Sequence, residues 1–91
     1  MTYIVHWQEN EYGDKPKPPP SWEDRTRRFL KAELARAEIG YRELAERLAK
    51  HGLKETEASI ANKISRGTFP ASFMLAVLKA LEVDTVRLEG I

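Results

Sequence analysis

Apolar side chains recur every three or four residues along most of the chain, in the pattern of amphipathic helices. In residues 41–50 one side of a helical wheel carries Tyr41, Leu44, Ala45 and Leu48. In the helix around residues 56–66 the inward positions are Ile60, Ala61 and Ile64. Gly52 interrupts the pattern between them. The spacing predicts two short helices joined by a Gly-containing turn, which is the anatomy of a helix-turn-helix.

A longer helix is predicted before this pair and an apolar one after it. Ser21 is placed as an N-cap with Trp22 first in the helix, which runs to about Ala37. Gly67 and Pro70 bracket a turn before the fourth helix. We therefore predict an all-α fold, a small four-helix domain over residues 21–91. Its predicted core is Trp22, Phe29, Leu34, Leu44, Leu48, Ile60, Ile64, Phe73, Val77 and Leu81.

The N-terminal residues 1–20 read as a separate arm and linker. Residues 2–7, TYIVHW, are β-branched and aromatic and alternate like a short strand. Residues 15–20, KPKPPP, favour a stiff polyproline II spacer. The last residues, DTVRLEGI, could form a second short strand. Because a short strand is unstable alone, we expect the arm to pair with residues 86–88 of the same or, more readily, a second chain.

Composition excludes several classes of function. The chain has no cysteine, and its two histidines, His6 and His51, lie far apart, so neither a metal site nor a disulfide is expected. No nucleophile stands beside a base and no glycine-rich phosphate loop occurs, so we expect neither an enzyme nor a cofactor. No apolar run is long enough for a membrane span, and no signal peptide is evident. A cytoplasmic, nucleoid-associated protein is expected.

Charge is nearly balanced overall but uneven along the chain. The formal net charge is +1, and residues 41–67 are the most basic segment, with six basic and four acidic side chains. An excess of two is weak for sequence-blind binding to phosphates. If the chain binds DNA, it needs base readout, two copies or a partner.

Polar side chains on the outward side of the third predicted helix are the main candidates for a binding surface. Ser59, Asn62 and Arg66 lie opposite the apolar positions, with Lys63 at the margin. Such side chains can contact phosphate oxygens or base edges, although a solvated helix face is the simpler alternative. Glu55 and Glu57 precede them. These carboxylates are better explained by a Thr56 N-cap and the helix dipole than by base reading.

With four helices in this order, the chain resembles the lambda-repressor-like (Cro and XRE) helix-turn-helix family over about residues 22–83. The resemblance rests on LAERL, on the spacing from Ile64 to Gly67, and on Pro70 followed by an apolar helix ending in LKALEV. The run KETEASIANKISRGTF is also similar to an uncharacterised bacterial domain family of this helical type. The resemblance implies a bacterial or phage transcription regulator that lays its third helix in the major groove of double-stranded DNA.

Carried over by position, Ser59, Asn62 and Lys63 match the recognition helix, and Tyr41 matches a residue that often touches a phosphate. The wheel gives a different reading of Tyr41, as a core residue with its hydroxyl at the rim. Arg42 faces outward beside it and joins the candidate surface. The chain departs from the family in two ways: residues 52–67 are about three residues longer than usual, and Ser65 stands where the family often has Glu.

The fourth predicted helix is apolar nearly all round, with Leu75 on its far side. Such a helix in a small domain is either wrapped by neighbours or half buried against a second molecule. We therefore expect a homodimer, with Tyr3, Val5, Trp7 and Leu75 as candidate contacts. The alternative function is a protein-interaction module, antitoxin-like or an assembly factor, that uses the helical fold to grip another protein.

Overall fold

The computed structural model describes residues 18–91. Four α-helices follow one another, and the bounds are α1 Trp22–Ala37, α2 Tyr41–Lys50, α3 Glu57–Arg66 and α4 Ala71–Ala80. A 3₁₀ turn, Leu88–Gly90, closes the described chain. The predicted all-α, four-helix domain is confirmed. Residues 1–17 of the N-terminal arm, including Tyr3, Val5 and Trp7, lie outside the described residues.

The helix ends follow from local capping chemistry. The Ser21 side chain accepts a hydrogen bond from the Asp24 backbone N–H, and Glu23 and Asp24 occupy the first turn of α1, where the helix dipole favours acid. Thr56 caps α3 in the same way, as predicted. Gly67, with φ of 68°, ends α3 in the left-handed conformation that glycine adopts at low cost. Pro70 takes the N-cap position of α4.

One apolar core joins the four helices. α2 packs on α3 and α4, and α1 packs on α3. Most of the predicted core is confirmed, and Leu44, Leu48, Ile60, Ile64 and Val77 are fully buried. The structure adds buried members that the prediction did not name: Leu30, Ile39, Leu78 and Ala80. Phe29 packs against this core but is only half-buried.

Trp22 is not a core residue, and that prediction was wrong. Its side chain is 66% exposed, because the first turn of α1 extends beyond the layer of buried side chains that begins at Leu30. The indole instead carries the Arg25 guanidinium over its ring, 4.1 Å from the ring centroid. This cation–π contact gives the aromatic face a partner without burying it.

The predicted second strand near the C-terminal end is also wrong. Residues 83–87 have no regular structure, and Leu88–Gly90 form a 3₁₀ turn. No strand occurs within residues 18–91 with which this segment could pair. Val86 packs against the core, whereas Leu88 is 78% exposed. Pairing of the arm with a strand at residues 86–88 therefore has no support.

Candidate nucleic-acid interface

α3 is held against the domain by its inward side. Ile60 and Ile64 are fully buried, one helical turn apart. The first turn is closed by a capping box: the Thr56 hydroxyl accepts from the Ser59 N–H, and the Ser59 hydroxyl accepts from the Thr56 N–H. The helix therefore presents its other face to solvent in a fixed orientation.

The outward face of α3 is polar. Asn62, Ser65 and Arg66 are exposed, together with the small Ala58. At 100° per residue these four positions fall within one stripe of the helix. Asn62 and Arg66 were predicted for this surface. Ser65 was not predicted as a contact, although its place at the edge of the same stripe, beside Ala58 on the wheel, was the available signal.

The other two predicted α3 residues, Ser59 and Lys63, lie on the flank of this face and are half-buried. Both are held by Glu55. The Ser59 hydroxyl lies 2.6 Å from one carboxylate oxygen, and the Lys63 ammonium lies 2.5 Å from the other. Lys63 also stands over the Phe73 ring, 5.0 Å from its centroid. The sequence reasoning did not assign Glu55 this role, because Glu55 precedes the N-cap Thr56 and the helical period of α3 does not place it.

The Glu55 carboxyl is almost enclosed, with a side chain 7% exposed. Burial by itself raises the pKa of Glu55, but the hydrogen bonds from Lys63 and Ser59 and the positive charge of Lys63 outweigh it, so the pKa lies below the ordinary 4.5. At neutral pH Glu55 is therefore a carboxylate, and it accepts hydrogen bonds from both Ser59 and Lys63 on this flank of α3. The residues directed at solvent are therefore Asn62, Ser65 and Arg66 rather than Ser59 and Lys63.

Tyr41 and Arg42 begin α2. Tyr41 is half-buried and packs against the core, as its place on the wheel predicted, and Arg42 is exposed. Arg47, further along α2, ties the helix to α4 by donating to the Ala80 backbone carbonyl at 3.0 Å. Arg42 on α2 is therefore exposed to solvent, as are Asn62 and Arg66 on α3.

The C-terminal end of α3 is locked to the start of α1. Arg27 donates to the Ser65 carbonyl at 3.3 Å. A β-carbon on Gly67 would stand 2.2 Å from the Glu23 carbonyl oxygen, so the two backbones meet where only glycine fits. This contact fixes the orientation of α3, and therefore of its outward stripe, relative to α1.

Leu75 lies on the solvent side of α4 and is 66% exposed. Its neighbours Phe73, Val77 and Leu78 are buried, so α4 is wrapped on one side only. Within residues 18–91 no cluster of histidine and carboxylate side chains could hold a metal ion. None of the helices in the same range combines the length and apolar content needed to cross a bilayer.

The fold and this surface define a small all-helical domain that holds one polar helix face outward. Residues 22–86 match the model of a family described as a domain of unknown function, DUF6471. The match spans more than half of the chain, and the chain belongs to this family. No curated protein and no solved structure matches the chain.

Proposed function

We propose that the chain is a sequence-specific double-stranded DNA-binding protein that reads the major groove with α3. The observation that carries the proposal is the outward stripe of α3, in which Asn62 and Arg66 are exposed while Ile60 and Ile64 anchor the opposite side. Asn can bind adenine through two hydrogen bonds, and Arg can bind guanine or phosphate in the same bidentate way. The helix is rigidly held, which base readout requires.

The order of the helices supports the same proposal. α2 and α3 pack on one another and are joined by residues 51–56, as in a helix-turn-helix whose second helix enters the groove. The exposed Arg42 at the start of α2 supplies a phosphate contact in this arrangement. Tyr41, whose ring packs on the core, contributes only its hydroxyl at the rim. Ser59 and Lys63 lie at the edge of this surface, where both contact the Glu55 carboxylate.

The proposed role is a bacterial or phage transcription regulator, cytoplasmic and associated with the nucleoid, that acts as a homodimer. A second copy packing on the exposed Leu75 would cover the open side of α4 and double the number of base contacts. Two copies would offset the weak basic excess of residues 41–67.

Selection from random duplex oligonucleotides, followed by binding at several salt concentrations, tests the proposal. We expect an enriched sequence and an affinity that falls as salt rises. Asn62→Ala should remove the preference at one or two base pairs, whereas Thr85→Ala, which changes an exposed neutral side chain outside α3 and α4, should keep the preference and is the matched control. A pool with no enriched sequence, or an Asn62→Ala protein with unchanged preference, would contradict the proposal.

A protein-interaction module is the second candidate function. The observation that favours it is the exposed Leu75, an apolar side chain on the side of α4 that its own domain does not cover. In this case the Leu75 face contacts another protein, and the outward stripe of α3 is a solvated surface. Loss of partner binding in Leu75→Glu, together with no duplex binding by the intact chain, would favour this candidate over the first.

A further inference from the structure

A groove of about 1190 Å³ runs along α1 on a side separate from the outward stripe of α3. One wall is α1, from Trp22 to Arg36, and the other is the segment 85–91, which includes the 3₁₀ turn. Arg25 bridges the two walls by donating to the Ile91 carbonyl oxygen at 2.6 Å. The groove is thus a built feature of the domain, because a contact between residues far apart in sequence joins its two walls.

The groove is both basic and apolar. Its lining includes four arginines and one glutamate, an excess of three positive charges: Arg25, Arg28, Arg36, Arg87 and Glu33. Arg36 pairs with Glu33 at 3.0 Å, and Arg87 pairs with Glu89. Arg28 is exposed and has no ion pair with any residue in the described range 18–91. Apolar surface between these charges comes from Trp22, Phe29, Ala32, Val86 and Ile91.

We propose that this groove is the docking site for the N-terminal segment of the same chain, residues 3–14. That segment, YIVHWQENEYGD, combines the two properties that the groove needs. Its first five residues include four large apolar or aromatic side chains. The remainder carries Glu9, Glu11 and Asp14 without any lysine or arginine. An acidic and aromatic peptide complements an arginine-rich groove with an apolar floor in charge and in polarity.

The connection along the chain supports this occupant. Pro19 and Pro20, which join the segment to α1, themselves line the groove. The α1 wall from residue 22 to residue 36 is about 21 Å long at 1.5 Å per residue. Twelve extended residues reach roughly 36–40 Å, which exceeds the length of this wall. The interaction is intramolecular, which raises the effective concentration of the segment at the groove.

An occupant of this groove would also cover Trp22, which lines it. An indole left 66% exposed beside Phe29 and Val86 would be covered by an apolar segment lying in the groove. The family match ends at Val86, so residues 87–91 of the second wall and the proposed occupant both lie outside the matched region. The proposal does not depend on whether the chain binds DNA.

Paramagnetic relaxation in the intact chain provides the test. The protein has no cysteine, so Gln8→Cys gives one site for a nitroxide label. In a ¹⁵N-labelled protein we expect the strongest loss of amide signal at Phe29, Ala32 and Val86, and weaker loss on α2. The loss should decrease severalfold in Arg28→Glu and in the combined variant Glu9→Gln, Glu11→Gln, Asp14→Asn. Lys31→Glu, which makes the same charge change on α1 outside the groove, should retain it.

A mixture of nitroxide-labelled unenriched chains with unlabelled ¹⁵N chains separates an internal segment from one supplied by a second copy. We expect no signal loss at the groove in the mixture. Loss there would show that a second copy supplies the occupant and would overturn the intramolecular proposal. Equal signal loss over α1 and α2 in the single-chain experiment, or an unchanged pattern in both charge variants, would overturn it as well. Circular dichroism of each variant checks that the helices are intact.

Discussion

The Glu23 carbonyl oxygen lies 2.2 Å from the position that a β-carbon on Gly67 would occupy. Gly67 also has φ of 68°, a conformation that side chains other than glycine adopt with strain. The start of α1 and the end of α3 therefore approach as closely as two backbones can. This contact fixes the orientation of the helix that carries Asn62 and Arg66.

Gly67→Ala should lower the free energy of unfolding by more than the backbone strain of its positive φ alone would. The left-handed conformation costs about 1–3 kcal/mol, and the clash with a backbone atom cannot be relieved by rotating a side chain. Gly52→Ala is the matched control, because Gly52 also has positive φ, 85°, but nothing lies within 4 Å of its β-position. Urea unfolding of both variants measures the difference. Equal losses would contradict the close approach.

Removal of the Glu55 charge should lower stability at neutral pH. Glu55→Gln leaves Lys63 without its carboxylate and weakens hydrogen bonds to a charged group, for which we expect a loss of about 1–3 kcal/mol. Glu46→Gln, an exposed carboxylate on α2, is the control for loss of a negative charge. A Glu55→Gln protein as stable as the control would show that the cluster contributes nothing.

The same carboxylate predicts a dependence on pH. Because the pKa of Glu55 in the folded protein lies below the ordinary 4.5, the stability that it contributes is present above that value and lost as pH falls through the folded pKa. The difference in unfolding free energy between the unaltered protein and Glu55→Gln should therefore narrow below pH 4.5. Denaturation series at several pH values measure it, and a difference that widens in acid would contradict the sign of the shift.

Truncation of a buried side chain should lower the free energy of unfolding more than truncation of an exposed one. Ile60→Ala or Leu48→Ala creates a cavity at a fully buried site and should cost about 2–5 kcal/mol, enough to unfold a domain of this size. Trp22→Ala removes a larger but exposed side chain and a cation–π contact worth about 0.5–1 kcal/mol. Thermal melts compare them. A shift of only a degree or two for Ile60→Ala would contradict the assigned core.

Two cations of α3 should behave differently if the helix binds DNA. Arg66 is exposed at the end of the outward stripe, so Arg66→Ala should weaken binding to all sequences and lower the salt slope without changing the melting temperature. Lys63→Ala should lower the salt slope less and the melting temperature more, because Lys63 pairs with the nearly enclosed Glu55. Binding titrations and melts on both variants test this. Unchanged affinity in both would remove α3 cations from the interface.

The exposed side of α4 should carry the contact between copies. Leu75→Glu is expected to convert a dimer to a monomer in light scattering, since a charge replaces an apolar side chain at the interface. Leu88→Glu is the control, because Leu88 is 78% exposed but lies outside α4. A monomer for the unaltered chain at tens of micromolar would refute the dimer.

Sequence by itself determined the elements of this domain. Capping residues such as Ser21, Thr56 and Gly67 act on backbone groups only a few residues away. The helical spacing of Leu44 and Leu48 in α2, and of Ile60 and Ile64 in α3, marks the buried face of each helix. Local chemistry therefore predicted the helices and most of the core. The exposure of Asn62 and Arg66 followed from the same period, because the side opposite a buried stripe faces solvent.

Only the three-dimensional structure decided the features that lie outside the repeat of a single helix. Trp22 is a large aromatic residue of the kind found in cores, but the first turn of α1, which holds it, lies beyond the edge of the core. Ser59 and Lys63 sit on the polar side of α3, but the chain before that helix brings the Glu55 carboxylate to both of them. The segment 83–91 has strand-like residues, but a strand needs a neighbour, and the described domain provides none. In each case an arrangement outside the repeat of a single helix, which periodicity does not encode, determined the outcome.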